Sequence, residues 1–345
     1  MAQAVKLAVI QVALFLVGVV LIELALRFFL PLPVHGGIYL DRDGRPVRPS
    51  QDAVLLKPNL DIVHKGSEFS ARIRTNSLGY RRIGNEDRRP DFVFIGDSFT
   101  FGHGVPDEET FSYVFCTKNH FVCQNLGRSG TATHEQLTIL NYALQTHGFR
   151  PKTVVLVMLA ACWLDSSGND LGENLSRYRE RQPPLATGAS LGAALASTAP
   201  AAPAEPARQQ SIVKRLQAWL GRFEITKRLM LILSSPLKRG TYSCSPPNEM
   251  AQALEATKAA LIELNRLAKQ FGFGVMLVVI HPYQELDGAF RQTERDLRTV
   301  VPGDFTYVPT GQFFRPEHYY RYDGHFNAAG HANVATVIGR SIEKR

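Results

Sequence analysis

A serine hydroxyl attacks an ester at neutral pH only when a base takes its proton and an acid fixes that base's tautomer. The sequence offers one residue of each type in suggestive places. Ser98 sits in Phe94-Ile95-Gly96-Asp97-Ser98-Phe99-Thr100-Phe101, directly after an apolar run at 91–95. His325 and Asp323 stand two apart in Asp323-Gly324-His325-Phe326-Asn327. In an irregular loop both side chains can project into one cleft. Ser98 would then be the nucleophile, His325 the base and Asp323 the orienting acid of an acyl-transfer reaction. Each fragment also has a plainer reading. Asp323 can cap a surface loop, and Asn327 can be the N-cap of the last helix. His331, one turn into that helix, reads as structural. Asp97 reads as a hydrogen-bonding brace for the nucleophile loop.

These residues need elements to position them. Apolar runs at 91–95, 121–126, 153–161, 274–280 and 306–308 predict buried strands. Residues 108–118, 134–148, 248–270, 294–300 and 327–342 predict helices between and after them. Such alternation implies a parallel sheet covered by helices on both faces, with its site at the carboxyl ends of the strands. Ser98, Gly130, Cys162, His281 and His325 all fall at or beyond such ends. The alternation breaks at about 171–246, read as an insertion. It contains an alanine- and proline-rich stretch at 183–210 and a helical stripe of Val213, Leu216, Trp219, Leu220 and Phe223.

The bulk properties exclude some classes. With 345 residues, 45% hydrophobic and 20% charged, the chain can build a core without metals or disulfides. The formal charge of +8 favours anionic partners. No nucleic-acid motif and no basic stripe with interleaved aromatics is present, so no nucleic-acid partner is expected. The four cysteines form no CxxC pair, so no structural metal is expected, and the proposed chemistry needs no cofactor. Cys116 and Cys123 flank a short turn-like segment. They would bridge in an oxidising compartment or stay as two buried thiols.

Residues 7–30 are almost wholly apolar, interrupted by Gln11, Glu23 and Arg27. As a helix they would reach about 36 Å, enough for a ~30 Å hydrocarbon core. Glu23 and Arg27 can pair on one face. No small-residue cleavage pattern follows, which favours an uncleaved anchor at 1–33 over a signal peptide. A lead-in segment at 34–75 and a catalytic domain at 76–345 complete the expected organisation. Arg42, Arg45 and Arg48 follow the span and only Lys6 precedes it, so flanking charge does not itself put the body outside.

The motifs resemble the bacterial SGNH (GDSL-type) hydrolase superfamily, and membrane-anchored members with Asn-Ser-Leu-Gly-Tyr-Arg before the first strand, here residues 76–81. The first block matches as Gly96-Asp97-Ser98-Phe99-Thr100-Phe101-Gly102, and the second as Asn125-Leu126-Gly127-Arg128-Ser129-Gly130-Thr131. The last matches as Asp323-Gly324-His325-Phe326-Asn327-Ala328-Ala329-Gly330-His331. The resemblance covers roughly residues 75–343 without the insertion. It implies an α/β fold, a three-layer α/β/α flavodoxin-like parallel sheet with an N-terminal transmembrane helix. It implies an oxyanion hole formed by the N–H groups of Ser98 and Gly130. It also implies an extracytoplasmic body at an inner membrane and acyl esters of carbohydrate as substrates. A serine esterase is the first expectation. An exopolysaccharide O-acyltransferase with the same triad, or a weakly active glycan-binding scaffold with envelope export partners, is the alternative. Two departures stand out. Acid and histidine are spaced Asp-x-His rather than Asp-x-x-His, as in envelope-polysaccharide acetyltransferase relatives. The asparagine that usually completes the oxyanion hole is replaced by Cys162, in Ala161-Cys162-Trp163, and a thiol is a weak donor. Losing one such donor costs about 100- to 1000-fold in rate. Gly168-Asn169-Asp170 resembles the missing motif but lies roughly six or seven residues later.

Overall fold

The computed structural model describes residues 2–29, 37–50, 55–84, 87–164, 169–181 and 243–343. The chain divides into two units, residues 1–33 with 182–241 and residues 34–181 with 242–345. In the first unit the described element is helix α1, Ala2–Phe29. Its side chains are described over 10–26, where Leu14 and Phe15 are 66% and 70% exposed. Among the described residues no helix is long and apolar enough to cross a membrane. The stretch expected to span a bilayer at 7–30 forms a helix through Phe29, but a membrane crossing is not supported. The alanine- and proline-rich stretch and the helical stripe at 212–233 lie outside the described residues.

In the second unit three short strands come first: β1 Ile38–Leu40, β2 Asp61–Lys65 and β3 Ser70–Arg74. They form an antiparallel sheet in the order β1-β2-β3. Five more strands follow: β4 Phe92–Gly96, β5 Cys123–Asn125, β6 Thr153–Leu159, β7 Gly274–Ile280 and β8 Thr306–Pro309. All pair in parallel, in the order β5-β4-β6-β7-β8. Counting from β4, this is the 2-1-3-4-5 order of a flavodoxin-like sheet.

Helices cover both faces, and the strands show why. Alternate strand residues point to opposite faces. Val93, Ile95, Leu156, Met158, Leu277 and Val279 pack on one side with α4 (Thr133–Gln145) and α6 (Pro247–Phe271). Phe92, Phe94, Val155, Val157, Met276 and Val278 pack on the other with α3 (Phe111–Asn119) and α8 (Ala328–Glu343). Both sets are apolar, which is why these strands read as continuous runs rather than alternating ones. Among the described residues the other α-helices are α2 (Ser98–Phe101), α5 (Asp170–Arg181) and α7 (Phe290–Arg298).

Element ends differ from the sequence reading by a few residues, for local reasons. Strand β6 stops at Leu159 rather than Ala161 because side chains take over its pairing. Asp170 accepts the Leu159 N–H at 2.8 Å, and Asn169 accepts the Ala161 N–H at 3.2 Å. Helix α4 ends at Gln145 rather than Gly148, and Gly148 beyond it takes a left-handed φ of 72°.

Candidate active site

The turn from β4 into α2 presents Ser98 as the first helical residue. Asp97 caps the helix, its carboxylate accepting the Phe99 N–H at 2.9 Å. Burial raises the Asp97 pKa to about 7, against the pull of its backbone donors. Gly96 is required by close approach, because a Cβ there would meet Thr100 Oγ1 at 2.1 Å and the Val157 carbonyl at 2.7 Å. The segment after α2 is held by Arg81, which is buried. Its guanidinium donates to Asp107 at 2.7 Å, to the Phe101 carbonyl at 3.1 Å and to the Val105 carbonyl at 2.8 Å. The role of the motif at 76–81 is thus partly to deliver this arginine beneath the nucleophile turn.

The loop before α8 brings the base. His325 Nε2 lies 2.7 Å from Ser98 Oγ, and His325 Nδ1 lies 2.5 Å from Asp323 Oδ1. With the ring proton on Nδ1, His325 donates to Asp323 and accepts the serine proton. The three residues picked out in sequence are therefore assembled as a relay. Burial opposes ionisation of Asp323, but the His103 and His325 rings beside it outweigh burial and hold its carboxyl well below the usual range. Asn327 accepts the Gly330 N–H at 3.1 Å and donates to the Glu317 carbonyl at 2.8 Å. It caps α8 and ties the loop down. His331 is buried, lies 3.3 Å from the Phe111 N–H and stacks on that ring, a structural position.

Two neighbours of the relay were not picked out in sequence. The first is Glu68, in the turn joining β2 to β3. Its carboxylate accepts the backbone N–H groups of Arg321, Tyr322 and Asp323 at 2.8, 2.8 and 2.9 Å. The second is His103, whose ring stacks on His325 with centroids 4.0 Å apart. Its Nε2 lies 3.4 Å from Asp323 Oδ2, the oxygen that His325 does not use. No spacing rule connects either residue to the last block.

The oxyanion side departs from expectation. Cys162 is disulfide-bonded to Cys244, so its side chain carries no S–H to donate. That corrects its assignment as a weak donor at the usual asparagine position. Asn169 does not replace it. Both of its amide hydrogens are taken, by the Ala161 carbonyl at 3.1 Å and the Trp163 carbonyl at 2.5 Å. Asn169 shapes the loop after β6, and Asp170 anchors that loop to β6 and to Thr133 and Gln136 of α4. Burial, with the Asp97 charge adding to it, raises the Asp170 pKa well above normal. Among the described residues neither the Ser98 nor the Gly130 N–H donates to a protein acceptor. Gly130 has φ 74°, a left-handed turn conformation that glycine adopts freely.

His281, also at a strand end, lies within a carboxylate cluster instead. Its Nδ1 is 2.9 Å from Glu285 and its Nε2 is 3.2 Å from Glu294. Glu285 in turn accepts the Cys162 N–H. The cluster braces the disulfide loop. The second cysteine pair is also closed, Cys116 to Cys123. Among the described residues the one grouping with metal-ligand chemistry is His103, Asp323 and His325, whose polar atoms lie within 4.8 Å of one another. Of the three, His325 meets Ser98, at 2.7 Å, which makes the group part of the relay.

No family model and no curated protein sequence matches the chain. Solved structures give weak likenesses. An α/β hydrolase enzyme, LAE5, from the metagenome of Lake Arreo is 13% identical, with 73% of this chain and 94% of that chain covered at a TM-score of 0.38. A putative lipolytic protein of the G-D-S-L family from Desulfitobacterium hafniense is 10% identical, over 72% and 98%, at 0.37. The acetylxylan esterase Axe2 from Geobacillus stearothermophilus is 14% identical, over 73% and 93%, at 0.37.

Proposed function

We propose that this chain is a serine ester hydrolase of the SGNH/GDSL type. The observation that carries the reading is the continuous relay Ser98–His325–Asp323, with contacts of 2.7 and 2.5 Å. His325 takes the Ser98 proton as the oxygen attacks the ester carbonyl. The N–H groups of Ser98 and Gly130 are the donors available to the resulting oxyanion. His325 then protonates the leaving alkoxide, and water resolves the acyl-enzyme by the same steps in reverse. Asp323 stays ionised and fixes the imidazole tautomer. A sugar hydroxyl in place of water would make the same site an O-acyltransferase.

The proposed substrate is an acyl ester of carbohydrate, acetyl first. His325 and Ser98 are partly exposed, which supports a bulky substrate reaching the relay from solvent. The proposed location is extracytoplasmic, at a membrane anchored through residues 7–30. Two disulfides use all four cysteines, which supports an oxidising compartment. The exposed apolar side chains of α1 support a lipid environment for that helix. A scaffold without catalysis is disfavoured by the assembled relay.

The test is a fluorophosphonate probe together with acetyl-ester turnover. Labelling at Ser98, with turnover abolished in Ser98→Ala and in His325→Ala, is the expected result. An unlabelled Ser98 at any probe concentration would sink the reading. Mass analysis after incubation with an acetyl donor and an oligosaccharide separates transfer from hydrolysis.

A further inference from the structure

We propose that His103 is a positioning residue of the relay, a second imidazole that shares the Asp323 carboxylate and backs the His325 ring. The inference rests on the ester-hydrolase reading for its kinetic consequence, but not for its geometry. Asp323 uses Oδ1 for His325, at 2.5 Å, and turns Oδ2 to His103 Nε2, at 3.4 Å. The two imidazoles are nearly parallel, 21° apart, with centroids 4.0 Å apart. Phe99 packs on His325 as well, at 4.8 Å. The catalytic ring is thus fixed in plane by its partner and against tilting by its neighbours.

His103 is itself enclosed. It is 6% exposed, with His64 of β2 against its ring at 4.3 Å and Phe69 at 5.3 Å. The charged and titratable groups facing it are Asp323 and His325 from the loop before α8, Asp97 at the α2 cap and His64. Its buried Nε2 has no aligned hydrogen bond, and the nearest acidic oxygen is Asp323 Oδ2. A site that needed only a flat ring would be filled more cheaply by phenylalanine, since a buried polar nitrogen short of a partner is a cost. The nitrogen is therefore the informative part of the side chain. Burial lowers the His103 pKa against the pull of Asp323, which favours the neutral ring near neutral pH.

The two rings bear on one carboxylate. An Nε2–H on His103 would lie toward Asp323 Oδ2, 3.4 Å away, and weaken the charge that the carboxylate offers His325. Removing the His103 nitrogen therefore alters the His325–Asp323 hydrogen bond and the proton transfer it supports.

The experiment uses the full chain with His103→Phe, which keeps a stacking ring, and His103→Gln, which keeps a donor. Melting temperatures identify a variant that has not folded, and the other variant then serves. The expected results are kcat lower by about tenfold in His103→Phe with KM little changed, less than the roughly 100-fold minimum for a direct proton-transfer group, with partial recovery in His103→Gln. The downfield proton resonance of the His325–Asp323 hydrogen bond should move in His103→Phe. This resonance needs no turnover. If it moves while Ser98 resists fluorophosphonate, the positioning role stands and the ester reading fails. If neither kcat nor the resonance moves in a folded variant, the proposal is overturned.

Discussion

Glu68 gives the sharpest prediction. Three consecutive backbone N–H groups, at Arg321, Tyr322 and Asp323, donate to its carboxylate at 2.8 to 2.9 Å. A hydrogen bond to a charged group contributes about 1.5–3 kcal/mol net. The full sum is not lost in Glu68→Ala, because the turn is partly exposed and water can meet the freed N–H groups. What is lost is the fixed position of the segment that carries Asp323. We put that at about 1–2 kcal/mol, or roughly a 5- to 30-fold fall in kcat, since 1.36 kcal/mol is tenfold in rate. Glu68→Gln should fall between. One amide oxygen can take the place of Oε2, which serves Tyr322 and Asp323, while the NH2 opposes the Arg321 N–H. The assay is steady-state hydrolysis of a small acetyl ester beside a thermal melt. KM should change little, because the carboxylate lies behind the relay. A folded Glu68→Ala protein with wild-type kcat would refute the reasoning.

Three further outcomes are expected. Asp323→Asn keeps the fold but loses about 10³- to 10⁴-fold in kcat, because an amide favours the wrong His325 tautomer; a loss under about tenfold would argue against the relay. Cys162→Ser with Cys244→Ser lowers stability by up to about 4.5 kcal/mol, the chain-entropy value for a loop closed over 82 residues. Its kcat per folded molecule should stay within about threefold, and a collapse in kcat at intact stability would return a catalytic part to position 162. The third concerns pH. Burial lowers the proton affinity of His281, but Glu285 and Glu294 outweigh it and the net shift is upward. Its stabilisation is full below the unfolded value of about 6.5 and is lost as pH rises through the raised folded value. Urea midpoints should therefore fall as pH rises above about 6.5, and His281→Gln should flatten that slope.

Much of the site was legible because its chemistry sits in two short blocks at strand ends. Ser98 follows β4 directly, and Asp323 and His325 need only one loop to meet it. The sheet was legible because Val155, Leu156 and Val157, or Leu277 and Val278, are buried on both faces and leave an unbroken apolar run. What stayed hidden depends on distant pairing. Glu68 reaches backbone N–H groups more than 250 residues away, and backbone groups carry no side-chain signature. His103 meets Asp323 only after the nucleophile turn and the last loop have docked. The Cys162–Cys244 bridge was invisible because spacing does not specify disulfide partners. Without it, Cys162 looked like a free thiol in the asparagine's place. The sequence left the Cys116–Cys123 pair open, and the structure closes it.

The Cys162–Cys244 bridge also bears on how this chain finds its fold. Strands β6 and β7 are neighbours in the sheet, with Thr153 opposite Gly274 and Leu159 opposite Ile280. Before folding, about 115 residues separate the end of one from the start of the other, a loop whose closure must precede any reward from pairing. Once the bridge forms, the route between them through the sulfurs is about 35 residues. By the logarithmic law for flexible loops, that shortcut makes the closure easier by about 1 kcal/mol, roughly sixfold in encounter probability. The central pairing of the sheet should form slowly under reducing conditions and faster once oxidised, so the order of bridge formation and sheet assembly sets the refolding yield.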